Sequence, residues 1–145
     1  MHEWSLAYSI VETILDLLRE GKFRSIKEVV IEVGKLVQID LEIFQQAIQE
    51  VAALHGLNNV KFTIVEVSTR FRCSRCGHVW SWDETLEKIG TEIEDPELRK
   101  ACLESIHLMP AAVFAYARCP ACGSPDFEVI EGFDVKISKV IGDVQ

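Results

Sequence analysis

Four of the five cysteines in this 145-residue chain fall into two C-x-x-C pairs, Cys73 and Cys76 in RCSRCGHVW and Cys119 and Cys122 in RCPACGSPDF. Each pair puts two thiolates on one tight turn, and the glycine after the second cysteine permits the bend that brings backbone N–H groups toward sulfur. Two such knuckles build one tetrahedral four-sulfur site, which zinc or iron would accept. With all four positions taken by protein, the expected role is structural rather than catalytic. The paired spacing is unlike the scattered cysteines of a secreted disulfide framework. Closing the 42-residue span from Gly77 to Arg118 costs on the order of 3 kcal/mol, against roughly 10–16 kcal/mol of apparent binding for structural zinc. Arg70, Arg72, Arg75 and Arg118 are expected to offset the charge of the thiolates.

The second constellation is MHEW, residues 1–4. Methionine aminopeptidases need a small second residue, so Met1 is expected to be kept ahead of His2 and to present a free amine. The Met1 amine and the His2 amide nitrogen close a five-membered ring on a metal, and that amide with His2 Nδ1 closes a six-membered one. A planar, nitrogen-rich set suits Ni(II) or Cu(II) and not tetrahedral Zn(II). Glu3 can add its amide or its carboxylate. Because amine and amide must lose protons, binding should weaken on acidification. Trp4 is expected to anchor this tip by starting an amphipathic helix at once. The remaining candidates have plainer readings: Cys102 as a small apolar residue of a short helix, His78 as a surface neighbour of the first knuckle, and His55 as a helix-end cation.

These groups need elements to hold them. Trp4, Ala7, Val11, Ile14, Leu15 and Leu18 recur at helical spacing, and Val29, Ile31 and Val33 alternate as in a strand. Asp40 caps a second helix with the stripe Leu41, Phe44, Ile48, Val51 and Ala52, and Val60, Phe62 and Ile64 form a second strand. DFEVIEGFDVKI reads as a hairpin about Glu131 and Gly132. Between the knuckles, Asp95–Pro96 marks a helix start and Pro110 a stop, so one or two short helices are expected there. The fold class is α+β: two helices on a small, mainly antiparallel three-stranded sheet, with an inserted zinc ribbon. Residues 1–70 make an α/β domain that carries the N-terminal metal-binding tip, 71–126 the ribbon with its helical insertion, and 127–145 the strands returning to the first sheet. The formal charge of −8, from 15 basic and 23 acidic residues, argues against a broad nucleic-acid footprint. No apolar run reaches the ~20 residues of a membrane span, and a cytoplasmic location is expected.

MHEWSLAYSIV, VVIEVGKLVQID and the two knuckles followed by DFEVIEGFDVKI, in that order along nearly the whole chain, resemble the HypA/HybF hydrogenase nickel-incorporation proteins. The resemblance implies a metallochaperone, not an enzyme, which passes Ni(II) with a HypB-type GTPase to the precursor of the [NiFe] hydrogenase large subunit, or in some organisms to urease maturation proteins. It implies that His2 is the essential nickel ligand, that Met1 and Glu3 supply backbone nitrogens, and that Cys73, Cys76, Cys119 and Cys122 hold Zn(II). It also implies that His107, in SIHLMP, joins the nickel shell, and that Asp40 lies where some relatives have an acid near nickel. Two other readings stand beside it: a zinc-ribbon adaptor for nucleic acid or protein, and a rubredoxin-like electron carrier, since CPACG alone is similar to a rubredoxin knuckle.

Overall fold

The structure is a computed structural model that describes residues 2–144; Met1 and Gln145 lie outside the described residues. In chain order the elements are α1 (Glu3–Arg19), β1 (Phe23–Gly34), α2 (Leu41–Leu54), β2 (Lys61–Val67), β3 (Arg70–Cys73), β4 (Val79–Ser81), α3 (Trp82–Glu92), α4 (Pro96–Leu108), a 3-10 turn (Pro110–Ala112), α5 (Val113–Tyr116), β5 (Phe127–Glu131) and β6 (Val135–Val144). They divide into two compact units. The first takes the chain up to Val33, Ile39–Glu66 and everything from Val135, and the second takes Gly34–Gln38 and Val67–Asp134.

In the first unit the strands run in the order β2-β1-β6, with β6 antiparallel to β1 and Val29 opposite Val140. The β-branched residues Val29, Ile31 and Val33 all point inward, as their alternation requires. With Phe44, Ala47, Ile48 and Val51 of α2 they form the core. Asp40 caps α2, its side chain accepting from the N–H groups of Glu42 and Ile43. The inward stripe of α1 is Glu3, Ala7, Ile10, Val11 and Ile14. Trp4, expected to anchor that helix, is 45% exposed. Helical geometry explains the correction: the buried arc centres on residues 3, 7, 10 and 14, so residue 4 falls on its shoulder.

The second unit is built on the sheet β4-β3-β5, antiparallel throughout, with Phe71 opposite both Trp80 and Val129. Beside the sheet, Trp82, Ile89, Cys102, Ile106, Val113 and Ala117 complete one core with Phe71 and Trp80. The span between the knuckles therefore folds as β4, three helices and a 3-10 turn, more than the one or two short helices expected. A Ser81–Glu84 capping box starts α3, and Asp95 with Pro96 starts α4. Cys102 is a buried core residue here, as its spacing suggests.

The C-terminal hairpin does not form. Phe127–Glu131 pairs with β3, whereas Val135–Val144 pairs with β1. The reason lies at Gly132, which has φ +78° and no room for a side chain: a Cβ there would lie 2.6 Å from the Ser68 carbonyl oxygen. Its own carbonyl accepts from Leu36 N (3.2 Å) and Thr69 Oγ1 (3.3 Å), while Gly34 N donates to Asp134 O (2.8 Å). These bonds go to segments remote in sequence, so the Glu131–Gly132 bend passes the chain from one sheet to the next instead of folding it back on itself.

Candidate metal centres

The two knuckles are built alike. Cys73 N donates to His78 O and Gly77 N to Cys73 O, just as Cys119 N donates to Ser124 O and Gly123 N to Cys119 O. Gly77 and Gly123 take φ values of +79° and +76°, the left-handed conformation that closes each turn. Together they gather four free thiols whose sulfurs all lie within 4.8 Å of one another. Cys73 Sγ is 3.5 Å from Cys122 Sγ, and Cys76 Sγ is 3.6 Å from Cys119 Sγ. Tetrahedral thiolates at about 2.3 Å from zinc would stand about 3.8 Å apart, so the set fits a single four-sulfur metal ion.

Backbone amides lower the electrostatic cost of bringing these sulfurs together. Arg75 N and Cys76 N donate to Cys73 Sγ, and Ala121 N donates to Cys119 Sγ, each at 3.4 Å. The Cys76 N–H is the foremost reason that the Cys73 thiol is lowered to about 6, with Arg75 N and the Cys122 and Cys76 thiols adding to it against burial. At Cys76 the backbone N–H of His78 acts downward, but burial and the thiols of Cys119, Cys73 and Cys122 push it up to about 12. Two of the four arginines expected to shield the thiolates face elsewhere. Arg72 pairs with Glu128 and Arg70 with Glu131 at 3.7 Å, because strand alternation turns these side chains away from Phe71 and Cys73. His78 stacks on Trp80, with ring centroids 6.2 Å apart.

Metal binding needs the thiolates, so protons compete with the ion for sulfur. Metal retention against a competing chelator should hold at neutral pH and fall on acidification. Chelator absorbance across a pH series measures it, and release that is already complete at pH 7–8 would contradict the assignment.

His2 stands immediately before α1 as its N-cap residue. It is exposed, its side chain makes no capping bond, and its carbonyl accepts from Leu6 N at 2.9 Å. Met1 lies outside the described residues. Glu3, the first residue of α1, is buried, and its Oε1 accepts the Asp40 N–H at 3.3 Å. That burial was missed from sequence, although Glu3 shares the period of Ala7, Ile10 and Ile14. His107 is exposed in the last turn of α4, in the second unit, whereas His2 and Glu3 belong to the first.

A closed four-thiol ribbon carried with a small α/β unit defines a metal-binding protein. A family model described as "Hydrogenase/urease nickel incorporation, metallochaperone, hypA" matches residues 1–141, and the chain belongs to that family, whose members are metallochaperones and not enzymes. Among its relatives, the hydrogenase maturation factor HypA of Pyrococcus furiosus is 34% identical over 141 residues, covering 97% of this chain and 95% of that one. The protein of the same name from Thermococcus gammatolerans is 31% identical over 141 residues, with the same coverage. The solution structure of the Ni metallochaperone HypA from Helicobacter pylori shares the fold with a TM-score of 0.61 at 16% identity, over 100% of both chains. Among the described residues, no helix is long and apolar enough to cross a membrane.

Proposed function

We propose that this protein takes up Ni(II) at the tip of α1 and delivers it for maturation of a [NiFe] hydrogenase, while zinc held by Cys73, Cys76, Cys119 and Cys122 fixes the ribbon. One observation carries the nickel reading: in a chain of a nickel-incorporation family, His2 is an exposed histidine whose side chain is not spent on capping the helix it begins. As the N-cap residue, its own N–H lies outside the helical ladder, so deprotonating that amide breaks no helical hydrogen bond. The Met1 amine, the His2 amide and His2 Nδ1 span three corners of a plane through one five-membered and one six-membered ring, a strong-field set that favours a flat Ni(II) site. Protonation of amine and amide releases the ion, which gives the carrier a route to unload. The partners that fit this role are a HypB-type GTPase and the hydrogenase large-subunit precursor, with urease maturation proteins as the other acceptors the family description admits, all in the cytoplasm.

Ni(II) titrations of the wild type, of His2→Ala, and of protein extended by one N-terminal residue test the reading. Both changes should weaken binding at least about a hundredfold and abolish the visible d–d band of a planar site. Equal affinity in all three ends it.

A further inference from the structure

Glu3 is the only carboxylate among the buried polar residues described; the others are Thr69, Thr85 and Ser124. A charge taken out of water is tolerated only when its oxygens are bonded. One of the bonds that helps to meet this condition runs across the fold, Oε1 accepting the Asp40 N–H at 3.3 Å over a separation of 37 residues. Asp40 is occupied in turn, its Oδ1 accepting from Glu42 N (3.0 Å) and Ile43 N (3.1 Å) to cap α2. One carboxylate thus sits at the start of α1 and reaches the start of α2. Both are positive ends of helix dipoles that favour a negative charge. The neighbouring residue, His2, is exposed.

We infer that Glu3 is a positioning residue. Its carboxylate stays on the Asp40 N–H and does not bind nickel; it holds the first turn of α1 against the α2 cap so that the nitrogens of His2 are presented in one geometry. The inference rests on the nickel reading above, but the two fail separately.

Glu3→Gln keeps a carbonyl oxygen where Oε1 now accepts, and Glu3→Ala removes it. With Ni(II) alone as probe, Glu3→Gln should keep the wild-type d–d band and bind within about twofold of wild type. Glu3→Ala should bind about tenfold more weakly. Amide hydrogen exchange at Asp40, followed by NMR in the nickel-free protein, should be slow in wild type and Glu3→Gln and faster in Glu3→Ala. A shifted or missing band in Glu3→Gln would make the carboxylate a ligand and overturn the inference. So would wild-type affinity in Glu3→Ala. Should Glu3→Ala fail to fold, the Glu3→Gln band and the Asp40 exchange rate still decide the matter. A planar-site band that survives His2→Ala, by contrast, sinks the nickel reading itself.

Discussion

Cys119→Ser should leave a protein that purifies with well under one metal equivalent and whose second unit no longer melts cooperatively. Cys119 is 1% exposed, its sulfur is 3.6 Å from Cys76 Sγ and it accepts the Ala121 N–H. Structural zinc supplies roughly 10–16 kcal/mol to the fold that binds it, while an entire domain is stable by only about 5–15 kcal/mol. Removing one thiolate of four therefore takes away an energy comparable to the whole stability of the unit. A serine hydroxyl is a poor substitute for a soft anionic sulfur. Metal analysis of the purified variant measures the first effect. Emission from Trp80 and Trp82, both buried in this unit, reports the second. Cys102→Ser is the control: it removes an equally buried thiol that lies in the hydrophobic core and outside the four-sulfur cluster, so its metal content should match wild type. Full metal content in Cys119→Ser would refute the assignment of the cluster.

The contrast between these two cysteines shows how much could be read before the fold was known. Cys102 is placed by helical period and the knuckle thiols by their spacing, both local quantities. The Asp40 cap, the inward Val29, Ile31 and Val33, and the Asp95–Pro96 start of α4 are local as well, and all are found in the structure. What could not be read depends on residues far apart in the chain. Nothing near Glu131–Gly132 distinguishes a hairpin turn from a passage between sheets. The distinction is made by Ser68, Thr69 and Leu36, which occupy the space and the hydrogen bonds around Gly132. The burial of Glu3 is hidden for a different reason: it shares the inward period of Ala7, Ile10 and Ile14, but an acid in the first turn of a helix is favoured by the dipole and normally faces water. Arg70 and Arg72 are a related case, since closeness in sequence suggested a shield that alternation along β3 directs elsewhere.

Phe71→Ala should destabilise the second unit by about 3–5 kcal/mol, the usual range for deleting a buried aromatic side chain, and should loosen the metal centre with it. Phe71 is fully buried at the middle of an aromatic cluster. Its ring stacks on Trp80 at 5.5 Å and on Trp82 at 6.4 Å, and meets Phe127 edge to face at 5.3 Å. It also lies two residues before Cys73, on the same face of β3, so the side chain that fills the core and the sulfur that binds metal are carried by one short strand. The cavity left by alanine would let that strand shift, and with it the Cys73 sulfur, whose partner Cys122 is only 3.5 Å away. Two measurements separate the packing loss from the metal effect. Chemical denaturation with zinc in excess should show the full loss of stability, and zinc transfer to a chelator should be at least several-fold faster than in wild type. Phe71→Leu, which keeps most of the apolar volume, should recover much of both. If Phe71→Ala lost stability but released zinc at the wild-type rate, the knuckles would be holding their geometry independently of the core beneath them, and the coupling argued from β3 would be wrong.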